Sequence, residues 1–97
     1  MIRNVTVVKL KPDADQSLAD RAVAEIQTLE IDGMVSIVAG RDLGLKEGTF
    51  DLVVTCDFVD EAAYRRYDTD GEHDRMRREL FFPISEQIVR AQLALPD

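Results

Sequence analysis

The sequence predicts an α+β fold in which a four-stranded antiparallel sheet carries its helices on one face. Three observations point there. Segments that alternate with period two, near 2–11, 50–58 and 87–95, are interleaved with segments whose apolar residues recur every three or four positions. Their order, strand, helix, strand, strand, helices, strand, is that of a split βαβ arrangement. Valines occupy both faces of the first strand, the mark of a strand that is buried on both sides.

Ninety-seven residues suffice for a single core, so the chain reads as one domain over 1–97. An apolar fraction of 45% and a charged fraction of 32% belong to an ordinary globular protein. A net charge of −7 argues against nucleic acid as a partner, because its phosphates would be repelled. No apolar run approaches the length of a membrane span, and Met1-Ile2-Arg3 runs straight into a strand without a signal-peptide pattern. The expectation is a cytoplasmic protein that does not engage a membrane. Cys56 is the only cysteine and His73 the only histidine, so neither an internal disulfide nor a zinc site is expected.

In the first strand Ile2, Asn4, Thr6, Val8 and Leu10 share one face, and Arg3, Val5, Val7, Lys9 and Lys11 the other. Lys11-Pro12-Asp13 ends it, and Asp13 or Asp15 can cap the helix carrying Leu18, Ala22, Ile26 and Leu29. Asp32-Gly33 is a turn signal. Met34 to Ala39 is β-branched and reads as a second strand closed by Gly40, followed by a loop over 41–48. Phe50, Leu52, Val54, Cys56 and Phe58 form the apolar face of a third strand, opposite Asp51, Val53, Thr55 and Asp57. Asp60 caps a short helix with Ala63, Tyr64 and Tyr67.

Thr69-Asp70-Gly71-Glu72 fits a capping box, with Thr69 capping a new helix and Glu72 reaching back. From there His73, Met76, Leu80 and Ile84 fall on one core-facing stripe. Pro83 removes a backbone bond in the last turns and bends the helix. The final strand, 87–95, carries Val89, Ala91, Leu93 and Leu95 on one face. Helices on one face only leave Val5, Val7 and Val53 bare on the other. Such a patch calls for cover, and the simplest cover is a second copy, sheet against sheet, in a homodimer.

An inward His73 beside an inward Tyr67 is the constellation with obvious chemistry. His73 has two readings: a helix-start residue with a satisfied ring, or a neutral base in a pocket. Tyr67 is either a core aromatic or, next to an imidazole, a donor to a carbonyl oxygen as charge builds there. Asn4 and Thr6 are polar on the helix-facing side of the first strand. They either bond to backbone and water or line a cavity with Val8, Val54 and Ile84. Cys56 reads as packing, since no base adjoins it. Arg65-Arg66, Arg75 and Arg77-Arg78 read as solvated helix faces balanced by acids. Phe81-Phe82-Pro83 packs the core or closes a pocket mouth.

Taken together, Ile2 to Lys11, Gly40-Arg41-Asp42-Leu43, Tyr67 and Asp70-Gly71-Glu72-His73 resemble the stress-responsive A/B barrel (Dabb) family, over residues 2 to about 95. The resemblance implies a ferredoxin-like subunit that pairs into a dimeric α+β barrel. It is similar to the plant olivetolic acid cyclase branch at Tyr67 and His73, which match that branch's catalytic pair. Asn4 and Asp70 stand where that branch has histidines. The resemblance implies an acid–base enzyme without cofactor, acting on a small, largely apolar carbonyl compound by aldol-type cyclisation or a related lyase or isomerase step. His73 then serves as base and Tyr67 as donor. Asn4, Thr6 and Asp70 orient the small-molecule ligand, and Val8, Val54 and Ile84 supply apolar walls. The alternatives are a non-catalytic stress-responsive or small-ligand-binding barrel and a cofactorless monooxygenase.

Overall fold

The computed structural model describes residues 1–96. In chain order the elements are β1 (Ile2–Leu10), α1 (Gln16–Ile26), β2 (Met34–Arg41), β3 (Leu52–Phe58), α2 (Glu61–Thr69), α3 (Gly71–Met76) and β4 (Ser85–Ala94). The chain stays helical between α3 and β4, as a π turn over Arg77–Phe81 and a 3-10 turn over Phe82–Ile84. The sheet order is β2-β3-β1-β4, antiparallel throughout. This is the ferredoxin-like α+β fold.

The register fixes which residues look toward the helices. Asn4 lies between Cys56 and Gln92, Thr6 between Val54 and Arg90, and Val8 between Leu52 and Ile88. On this face Val8, Leu52, Val54, Cys56 and Phe58 form the floor of the core, against Ala19, Ala22 and Ile26 of α1. Asp15 starts α1, its Oδ1 accepting the amides of Ser17 at 2.9 Å and Leu18 at 3.3 Å. Gly33 has φ +86°, and a Cβ there would stand 2.7 Å from Ala63 Cβ, so only glycine lets this turn approach α2. Arg41 ties the end of β2 to α1 through Asp20 Oδ1 at 3.0 Å and Gln16 Oε1 at 2.9 Å. The Gly40-Arg41-Asp42-Leu43 stretch thus has a structural job.

His73, Met76, Leu80 and Ile84 are all buried, on the expected stripe. Two details depart from the sequence reading. Thr69 does not cap α3: it is the last residue of α2, and its hydroxyl donates back to the Arg65 carbonyl at 2.9 Å. Asp70 has the extended backbone between the two helices and is the cap, accepting the His73 amide at 2.9 Å. Glu72 binds Arg75 at 2.6 Å instead of reaching back. Pro83 does not merely bend a helix. It sits at the start of a 3-10 turn, where its missing N–H is tolerated. Replacing Asp70 by alanine is expected to cost about 1 kcal/mol, read as a lower urea midpoint.

The opposite sheet face is open. Val38, Thr55, Val5 and Ala91 form one row across it, and Gly40, Val53, Val7 and Val89 the next. Val38 is 59% exposed, and Val89 and Leu93 are also exposed. An ion pair between Arg3 and Asp57, at 2.8 Å, borders the rows.

Candidate functional site

The site is built on the break between α2 and α3. Asp60 opens α2 by accepting the Ala63 amide at 2.9 Å, which turns Ala63 and Tyr67 toward the sheet. Phe58 lies beneath, edge-on to Tyr64 at 5.8 Å and tilted against Tyr67 at 5.2 Å. The chain reverses at Asp70 and brings His73 back over Tyr67. The two rings stack with centroids 3.9 Å apart and planes 28° apart. His73 Nδ1 lies 2.8 Å from the Tyr67 carbonyl oxygen.

That contact settles the tautomer. A carbonyl can only accept, so Nδ1 carries the proton and Nε2 keeps its lone pair. Burial pushes the imidazole below its ordinary value and the Arg77 charge adds to this, against the opposing pull of the Tyr67 carbonyl, Asp68 and Asp70. The ring is therefore neutral near pH 7, with Nε2 able to accept a hydrogen bond. Burial, with the adjoining Cys56 thiol, pushes the Tyr67 phenol far above its usual range, so it stays protonated. The phenol and imidazole meet by stacking, which passes no proton directly between them.

A cavity of about 40 Å³ opens beside this pair. Asn4, Thr6, Val8 and Val54 form its floor, and Tyr64, Tyr67 and His73 one wall. Arg77, Phe81, Ile88 and Arg90 are among the residues that close it. Gln92 Nε2 donates to Asn4 Oδ1 at 2.7 Å, and Asn4 Nδ2 donates to Thr6 Oγ1 at 3.3 Å. Fully buried Asn4 is thereby oriented, and Thr6 accepts while its own hydroxyl proton has no acceptor among the described residues.

Two residues assigned to the ligand lie elsewhere. The Asp70 carboxylate caps α3, and Ile84 packs in the core; neither lines the cavity. Arg77 is the reverse case. Arg75 and Arg78 do lie on acids of the solvated face, at 2.6 Å from Glu72 and 2.9 Å from Asp74. Arg77 instead lines the cavity, one α-helical turn after His73, with its amide on the His73 carbonyl. Its position four residues after His73 is the signal that could have found it.

Among the described residues no group of three or more His, Cys, Asp or Glu side chains could hold a metal ion, and no helix is long and apolar enough to cross a membrane. Cys56 is fully buried, and burial pushes its thiol up to about 11. Native protein is accordingly expected to react with a thiol reagent only at its unfolding or opening rate, with rapid labelling restored by denaturant.

Fold and site define a ferredoxin-like α+β protein with a buried His–Tyr stack over a small cavity on the helical side of the sheet. The sequence matches the model of the stress responsive A/B barrel domain family over residues 2–93, and the chain belongs to that family. No curated protein sequence matches it. Similar solved structures include a dimeric ferredoxin-like protein of unknown function from Thermobifida fusca, with TM-score 0.88 and 22% identity over 97% of this chain and 90% of that one. A Dabb family protein from Mesorhizobium loti has TM-score 0.79 and 21% identity, covering 99% and 97%. The hydroxynitrile lyase of Passiflora edulis has TM-score 0.83 and 20% identity, covering 99% and 94%.

Proposed function

We propose that this chain is an acid–base enzyme that works without a cofactor on a small carbonyl compound. The observation that carries the reading is the oriented imidazole: Nδ1 held on a carbonyl, Nε2 free, the ring neutral and in the wall of a cavity. Such a group takes a proton from the carbon beside a carbonyl. The enolate oxygen that forms is held by the protonated Tyr67 phenol, with the Thr6 hydroxyl as a second donor. Aldol-type cyclisation, as in the olivetolic acid cyclase branch that Tyr67 and His73 resemble, begins with this step, and related lyase and isomerase reactions use the same acid–base groups. The lyase named for the Passiflora edulis structure supports that range. A cavity of about 40 Å³ admits a few heavy atoms, so only the reacting end of a larger substrate reaches His73. The same small volume favours the second reading, a non-catalytic barrel that binds a small ligand.

Proton exchange separates the two. In D2O, small ketones and β-dicarbonyl compounds are expected to lose α-protons faster with the protein than in buffer, and His73→Ala is expected to abolish the excess. A binding-only barrel gives no excess with any of them.

The active unit in this proposal is a homodimer joined through the open sheet face, which would cover Val5, Val7, Val38 and Val53. The dimeric Thermobifida fusca protein supports it. Light scattering at micromolar concentration is expected to give twice the 10.9 kDa chain mass; a clean monomer contradicts the pairing.

A further inference from the structure

We propose that the cavity selects a carbonyl compound bearing a carboxylate, which Arg77 and Arg90 hold while the carbonyl end faces His73. The inference rests on the acid–base reading for what happens to the compound, but the selection of charge stands on its own observations.

The first is an unspent donor. Arg77 Nε is buried and has no hydrogen-bond partner among the described residues. Buried polar atoms are nearly always paired, so a lone guanidinium N–H in a cavity wall marks a place for an acceptor that is not part of the chain. The other end of Arg77 is only loosely neutralised. One terminal nitrogen donates to the Asp68 carbonyl, and the other lies 3.5 Å from the half-exposed Asp68 carboxylate.

The second is Arg90, opposite Thr6 on β4. It lines the same cavity, and its side chain makes no hydrogen bond or ion pair among the described residues. It also borders a shallow surface depression with Glu86, without pairing with it. Each of the other arginines has a partner: Arg3 with Asp57, Arg21 with Glu25, Arg41 with Asp20, Arg65 with Glu61, Arg66 with the Asp32 carbonyl, Arg75 with Glu72 and Arg78 with Asp74. In a chain with 19 acids and 12 bases, three guanidiniums lack a close carboxylate, Arg66, Arg77 and Arg90, and the last two face one cavity.

Charge balance points the same way. His73 and Tyr67 are neutral, and of the residues lining the cavity only Asp68 is acidic, against Arg77 and Arg90. The Arg77 charge is felt by both His73 and Tyr67, so an anion placed on it lies within reach of the reacting groups. A guanidinium presents a planar fork of donors that fits a carboxylate, and a site of a few heavy atoms suits that group at the end of a short keto acid.

The test uses the single histidine as reporter. The His73 Hε1 resonance is followed by proton NMR while acetoacetate, pentane-2,4-dione or inorganic phosphate is added. The dione carries an acetyl group where acetoacetate carries its carboxylate, so it keeps the size and loses the charge. Acetoacetate is expected to shift the signal saturably and to bind at least about tenfold more tightly than the dione or phosphate. Arg77→Gln and Arg90→Gln are each expected to erase most of that preference. Arg90 is exposed on β4, so its variant keeps the test sound should Arg77→Gln disturb the helix. Equal binding of ketone and keto acid, phosphate binding as tightly as acetoacetate, no saturable shift with acetoacetate, or variants that keep the preference would each overturn the proposal. Deuterium exchange in the same samples is read separately. Selective binding without exchange removes the base reading and leaves charge selection standing; exchange without charge preference does the opposite.

Discussion

Replacing His73 by alanine is expected to lower turnover of a carbonyl substrate by ~10²–10⁴, the contribution of a positioned general base. The fold should survive. The ring stack on Tyr67 contributes about 0.5–1.5 kcal/mol beyond its buried area, against a total of about 5–15 kcal/mol for a domain. Tyr67→Phe separates the two parts of its neighbour's role. It keeps the ring and the backbone carbonyl that hold Nδ1, and removes only the hydroxyl donor, for a loss of ~10²–10³. The pH profile should carry an acid limb. The His73 pKa is lowered by burial, so Nε2 is free through neutral pH and becomes protonated only below the ordinary imidazole value of about 6.5. Activity falls as pH drops through that folded-state value. Stability moves the same way: below about 6.5 the unfolded chain binds the proton more readily than the native one, and the native state loses ground as pH falls. An acid limb centred above about 6.5 would mean that burial does not govern the ring.

The largest effect on stability is expected from Phe58→Ala, at about 3–5 kcal/mol. Phe58 is fully buried at the end of β3 and touches both tyrosines. Deleting the ring leaves a hole that α2 cannot close without moving Gly33 and Ala63, already at the limit of approach. A cost this size is comparable with the total stability of a small domain, so the urea midpoint should fall steeply. A loss below about 1 kcal/mol would show that the aromatic cluster is not the support of the site. The two substitutions divide the account: His73 bears on chemistry, Phe58 on the platform that holds it.

The fold was legible because burial and periodicity agree. Alternation in 50–58 put Leu52, Val54, Cys56 and Phe58 on one face, and all four are buried there. The stripe from His73 to Ile84 survived even though the helix changes type twice along it, since a short helix that drifts by part of a turn still keeps one side to the core. Capping was less legible. Thr69 and Asp70 both have capping side chains, and which one acts depends on where α2 stops, a boundary set by tertiary packing. Asn4 and Thr6 were visible as polar residues on an inward face, but their ordering by Gln92 is a cross-strand contact that no local pattern reveals.

Arg77 was the main omission. At i+4 from His73 it falls on the core-facing side of a regular helix, away from Arg75 and Arg78, but the run of arginines among acids was read as one solvated face. In the structure Arg77 stands in the cavity wall, where it pairs only partly with Asp68. Asp70 was misassigned for the converse reason. Its carboxylate is taken by the His73 amide, so it positions His73 through the start of α3 and has no part in lining the cavity.

The central claim is a neutral imidazole with its proton on Nδ1 and its lone pair on Nε2. Nitrogen-15 NMR of uniformly labelled protein reads this directly, because His73 is the only histidine in the chain. At pH 7 Nδ1 should show the shift of a protonated ring nitrogen and Nε2 that of a bare one, with titration centred below about 6.5. A proton on Nε2 at pH 7, or a ring that is still cationic there, would contradict the account.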